Sequence, residues 1–116
     1  MTKRKDNKYA KVEGLLRLYP EIERRKENAK QFMKLGEDRS KEIEELEIKR
    51  SIVENMMGFL QEKDKLNGTR DYDIIKKWYF DKDSLVAIGI DVGMADNSVW
   101  RRKKKIINKY LMSFIA

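Results

Sequence analysis

The chain has 116 residues, 41% of them hydrophobic and 41% charged, with a net charge of +7 and no cysteine or histidine. That length makes one domain, or one small domain with a helical extension, and leaves room for a modest core but no deep catalytic cleft. Disulfides, thiol chemistry and Cys- or His-ligated metals are excluded, the commonest general base is missing, and no run of about 18 apolar residues is available to span a membrane.

The N-terminus, MTKRKDNKYA, is basic but lacks the apolar stretch of a signal peptide. These features lead us to expect an all-α, basic, cytoplasmic protein without catalytic residues, cofactor or metal. No repeat of fixed period is present.

In chain order, Tyr9, Val12, Leu15, Leu16 and Tyr19 recur at helical spacing and predict an amphipathic helix over 6–18. Pro20 ends it and can serve as the first residue of the next helix. Ile22, Ala29, Phe32 and Met33 form that helix's stripe, and Gly36 is its stop. Residues 39–66 give a long helix rich in Glu, Lys and Leu, with pairs such as Glu45 and Lys49 at four-residue spacing. Arg50 and Asp64 fall on its apolar seam. A strict zipper would fill both with apolar side chains, so a helical hairpin or short bundle is expected. Met56, Met57 and Phe59 are expected to pack against Phe32 and Met33.

Asn67-Gly68 is a turn signal. A helix over about 70–80 follows, with Tyr72, Ile75, Trp78 and Tyr79 on one side. Trp78, Tyr79 and Phe80 read as core. Ser84 is a natural N-cap for a helix over 85–92. Gly93 turns the chain, and Asp96 or Asn97 opens a last helix to about Phe114. The expected organisation is a helical hairpin or bundle over 1–67, for association, and a helix-turn-helix unit over 70–116.

The informative stretch is SLVAIGIDVGMADNSVWRRKKKII, residues 84–107. Gly89 falls inside its first helix, where a close approach is needed. Gly93 sits at the turn, where a positive φ is wanted. Ile88, Val92 and Val99 occupy the buried positions. This is the layout of a helix-turn-helix whose second helix puts short polar side chains at its start and cations along its middle. From Asn97 to Tyr110 there are six basic residues and no acidic one.

Leu85, Ile88-Gly89, Val92-Gly93 and Val99 resemble the pattern of region 4 of bacterial sigma factors. The segment Ile74-Ile75-Lys76-Lys77-Trp78-Tyr79-Phe80 resembles the helix before that motif. A closer resemblance, through Val99-Trp100-Arg101-Arg102 followed by Lys103-Lys104-Lys105-Ile106-Ile107-Asn108-Lys109, is to the small phage and prophage transcriptional activators of the RinA and ArpU type. It covers residues 71–112 and is only compositional over 1–69. It implies promoter binding, activation in a bacterial host, and contact with RNA polymerase. One position departs from the pattern: Arg102 stands where such motifs place an aliphatic residue. Its stem can cover the core edge while its head reaches solvent.

The residues expected to touch double-stranded DNA are Ser84, Ala95, Asp96, Asn97, Ser98, Trp100, Arg101, Arg102, Lys104 and Lys105. Asp96, Asn97 and Ser98 can equally be helix caps, and Trp100 can face either the core or the sugar–phosphate backbone. Expected partners are duplex DNA, RNA polymerase, and a second copy through the N-terminal helices, with no membrane. Two other readings compete. One is a phage small-terminase-like DNA-packaging oligomer, disfavoured because its helix-turn-helix usually precedes the oligomerisation helices. The other is a helical interaction module without DNA.

Overall fold

The computed structural model describes residues 2–115, with side chains from Asn7 onward, and is all-α. Helix α1 (Thr2–Leu18) runs into a single 3₁₀ turn at Tyr19–Glu21 that carries Pro20, and α2 (Ile22–Lys34) follows directly. Proline lacks an N–H to continue the α-helical ladder, yet its φ suits the first turn of the next segment. The result is a kink without a loop. Gly36, at φ +91°, reverses the chain. The Asp38 carboxylate then accepts bonds from the Ser40 backbone N–H (3.0 Å) and hydroxyl (2.6 Å), opening α3 (Ser40–Asn67).

Past the Gly68 turn, α4 (Asp71–Ile75) widens into a π-turn over Lys76–Phe80. Helix α5 (Leu85–Val92) starts at Ser84, whose Oγ accepts the Ala87 N–H at 3.1 Å. Helix α6 (Asp96–Ile106) continues through a π-turn at Ile107–Leu111 and a 3₁₀ turn at Met112–Phe114.

One buried cluster draws on both sides of the turn at 67–70. Val12 and Leu16 of α1 and Val53, Met56 and Leu60 of α3 share it with Ile74, Ile75, Tyr79, Ile88, Val99, Ile106, Ile107 and Leu111. Met56 and Met57 therefore belong to this main core. Phe32 and Met33, expected to cover them, are 42% and 40% exposed near the hairpin turn. Phe32 lies under the Arg39 guanidinium at 4.4 Å. Phe59 packs instead on Tyr110 and Phe114, with ring centroids 5.9 and 5.8 Å away. A stripe read along one helix cannot say which neighbour supplies the other half.

Helix α2 and the first half of α3 form an arm projecting from that core. Its own buried residues are few: Ile22, Ala29, Leu46 and the stem of Lys26. Lys26 pairs with Glu47 and Arg50 with Glu23 across the arm. This answers why Arg50 sits on the apolar seam of α3: its partner is a carboxylate on α2. The radius of gyration is 16.3 Å, against about 13 Å for a compact chain of this length. The arm accounts for the excess.

Candidate nucleic-acid interface

The turn between α5 and α6 is shaped by two glycines. Gly93 adopts φ +73°, in the left-handed region where a Cβ is costly. Gly89 has another reason: a Cβ there would stand 2.5 Å from the Met94 carbonyl oxygen. The close approach expected at Gly89 is therefore made by the turn backbone. With it, Ile88 and Val99 become fully buried, and α6 is fixed against α5.

Helix α6 then divides its basic run by direction. Val99, Lys103, Ile106 and Ile107 face inward and are buried. Asn97, Trp100, Arg101, Lys104 and Lys105 face outward and are exposed. The spacing of the outward set, three or four residues, makes one stripe. Lys109 extends it by one further turn and is also exposed; four-residue spacing from Lys105 was the signal for it. Trp100 is 45% exposed, with the Lys104 ammonium 4.4 Å from its ring centroid. Of its two possible positions, it takes the outer one.

The start of α6 is less crowded than expected. Ala95 is the residue before the first turn, and no side chain caps it. Asp96, Asn97 and Ser98 therefore lie inside the first turn and are not its cap. Asp96 suits that position electrostatically, since a carboxylate is favoured near a helix N-terminus. Ala95, Asp96 and Asn97 are exposed and Ser98 half-buried.

Arg102 is placed differently from its neighbours. Its Nε and Nη2 donate to the two oxygens of Asp71 at 2.8 and 2.7 Å. Asp71 is 1% exposed and also accepts from Lys63 at 2.5 Å. Burial works against the Asp71 charge, but the bonds from Arg102 and Lys63 outweigh it and hold its pKa below the usual carboxylate range. The same bond raises the pKa of Arg102. The head expected to reach solvent is thus turned inward, because an anion from α4 waits there. Its donors Nε and Nη2 are committed within the fold, so Arg102 does not join the outward stripe.

No protein family, curated protein or solved structure matches the chain.

Two polar knots hold that geometry. In the first, Asp64 of α3 accepts from the Thr69 hydroxyl at 2.5 Å and from the backbone N–H groups of Asp71 and Tyr72 at 3.1 and 2.8 Å. Asp64 thereby caps α4 from outside that helix, which explains its place on the α3 seam. Asp71 then ties α4 to α6 through Arg102. In the second knot, Lys103 donates to the Tyr9 hydroxyl at 2.9 Å and lies 3.4 Å from a Glu13 oxygen. Its ammonium also sits 4.6 Å from the Trp78 ring centroid. Tyr79 donates its hydroxyl to the same Glu13. Burial lowers the Lys103 pKa, with Glu13 opposing. Burial and Glu13 together push Tyr9 up to about 12 and raise Tyr79 as well. So two of the five consecutive cations, Arg102 and Lys103, anchor α6, while Arg101, Lys104 and Lys105 remain on the surface.

Ser84 is exposed, and its hydroxyl is engaged as the α5 cap. Among the described residues no cluster of acidic side chains is arranged to hold a metal ion. No helix among them is long and apolar enough to cross a membrane.

Proposed function

We propose that this chain binds double-stranded DNA sequence-specifically, as a transcriptional regulator of the kind carried by phages and prophages. One observation supports the reading above the rest: the outward stripe of α6, with Asn97 in its first turn beside a half-buried Ser98 and Arg101, Lys104 and Lys105 beyond, while Arg102 and Lys103 are held inside by carboxylates. A helix mounted in this way can enter the major groove N-terminal end first. The cations neutralise phosphates and release counterions, giving affinity that falls steeply with salt. Asn97 offers a bidentate amide for adenine, Ser98 a hydroxyl, and Ala95 a methyl for thymine contact. Activation and a contact with RNA polymerase extend the proposal through the resemblance of residues 71–112 to phage regulators. Self-association through the N-terminal helices is a separate part of the proposal, drawn from the helical hairpin over 1–67 and not from that resemblance.

The test is binding of the whole chain to duplex DNA from upstream of its own gene and to a random duplex, titrated from low to physiological salt. Tighter binding to the upstream fragment that survives physiological salt is expected. Equal, salt-sensitive binding to both would leave a basic helical protein without a reading function.

A further inference from the structure

The arm and the body enclose a second surface, remote in sequence from the start of α6. A cleft of about 580 Å³ opens where the end of α1, the start of α2, the middle of α3 and the C-terminal Ile115 converge. Its apolar wall is Leu15, Leu18 and Ile115, and Lys11, Arg25 and Lys49 stand on its rim. Gly14 leaves a gap in the α1 face: a Cβ added there would meet nothing within 4 Å. A second cleft of about 520 Å³ continues along the arm to Ala29, Phe32 and Leu46. The two share Leu18, Arg25 and Lys49, so they form one groove.

The charge of the groove is lopsided. Six cations line it, Lys11, Arg17, Arg24, Arg25, Arg39 and Lys49, against three carboxylates, Glu21, Glu42 and Glu45. Glu21 is engaged by Arg24 at 2.7 Å and Arg25 at 3.7 Å, and Glu42 by Arg39 at 3.5 Å. Arg17 is engaged by Glu13 at 3.5 Å, whereas Lys11 and Lys49 make no ion pair among the described residues, so the pair expected between Glu45 and Lys49 does not form. An apolar patch at one end, Leu15, Leu18 and Ile115, continued by a mostly polar, cation-rich stretch along the arm, asks for an occupant with apolar anchors and acidic flanks. The groove runs from Lys11 on α1 to Phe32 on α2, and its α2 share, residues 24–32, spans roughly 12 Å at 1.5 Å per residue. That length suits a short helix lying lengthwise, the recognition mode in which anchors at i, i+4 and i+7 fill an apolar groove.

We propose that this groove docks an acidic amphipathic helix of a partner protein. The inference stands apart from the DNA reading, since it uses none of the residues on the outer face of α6. A duplex would gain from the cations but find no use for Leu15, Leu18 and Ile115. An acidic helix uses both.

The experiment is fluorescence anisotropy of the full chain with a labelled synthetic peptide of about 14 residues, ~21 Å as a helix. The peptide carries Leu at i, i+4, i+7 and i+11 and Glu on the remaining face; a counterpart replaces Glu by Lys. The acidic peptide is expected to bind with micromolar affinity and the Lys peptide not to bind. Gly14→Leu fills the gap at a helical position with open space, so the fold is kept, as a melting curve would check. It is expected to weaken the acidic peptide at least ~10-fold, about 1.4 kcal/mol, with duplex DNA affinity unchanged. The pair Lys11→Glu/Lys49→Glu is expected to weaken the peptide by at least as much. No saturable binding below ~1 mM, equal binding of the Lys peptide, or indifference to Gly14→Leu would overturn the proposal. Loss of duplex binding in Gly14→Leu would reassign the groove to nucleic acid. A dimer of the free chain that Gly14→Leu dissociates in sedimentation would reassign it to a second copy.

Discussion

Asp71 shows what a single buried charge does here. It receives three hydrogen bonds from Arg102 and Lys63 and is 1% exposed. Asp71→Asn keeps the shape but removes the anion from Arg102 and leaves Lys63 only Asp64, 3.6 Å away, a change that costs about 3 kcal/mol when a buried pair is broken. Chemical denaturation should show that loss. Its folded pKa lies below the ordinary value, so its contribution is fully present above the unfolded pKa of about 3.9. It is lost as pH falls through the folded value. Wild-type stability should therefore drop below pH ~4 more steeply than that of Asp71→Asn. The glycines allow an opposite pair of tests. Gly89→Ala puts a Cβ 2.5 Å from the Met94 carbonyl oxygen, where backbone must move; a loss of about 1–3 kcal/mol is expected. Gly14→Ala meets nothing within 4 Å and gains helix propensity, so roughly 0.5–1 kcal/mol of added stability is expected. Thermal melts of the two variants shifting in the same direction would contradict this account.

At the scale of the element, α5 packs against α6 through the Gly93 turn and fixes which face of α6 points outward. Helix α5 has only 8 residues, too few to hold itself in water. Ser84 supplies its one side-chain cap, and Ser84→Ala should cost about 1 kcal/mol, read as a lower denaturation midpoint. Helix α6 should separate two kinds of variant. Arg101→Ala and Lys105→Ala remove exposed cations and should weaken all duplexes alike. Asn97→Ala and Ser98→Ala remove polar groups from the first turn and should change preference among sequences by about 1–3 kcal/mol per contacted base pair. Competition binding against a panel of duplexes measures both. Equal effects of all four changes on chosen and random DNA would end that division of labour. Most of these elements were legible beforehand, because they are written in local signals. Ser84, Gly93 and the apolar triplet Ile88, Val92 and Val99 each fix a neighbour within a few residues. The π-turns over Lys76–Phe80 and Ile107–Leu111 had no such signal. The inward turn of Arg102 was hidden for another reason: its partner Asp71 lies 31 residues away, and periodicity on one helix carries no information about an anion on another.

At the scale of the whole molecule, α1 and α6 meet although they stand at opposite ends of the chain. Lys103 reaches Tyr9 across 94 residues of sequence, and Val12 and Leu16 share a core with Ile106 and Leu111. The sequence pattern suggested two units joined near residue 68; the packing draws one core from both. Only the arm, held by few apolar side chains and by ion pairs, stands off from it. Helix α6 is tied to α1 through Lys103 and to α4 through Arg102. That anchoring leaves Arg101, Lys104 and Lys105 as the cations available on the outer face. The most direct measurement is the slope of log K against log salt for duplex binding, in the wild type and in the triple variant Arg101→Ala/Lys104→Ala/Lys105→Ala. If these side chains hold phosphates, the slope should become shallower by roughly 0.9 for each contact removed, about 2 to 3 in all. An unchanged slope, with the duplex still bound, would place the contact elsewhere on the molecule and contradict the assignment of α6 as the reader.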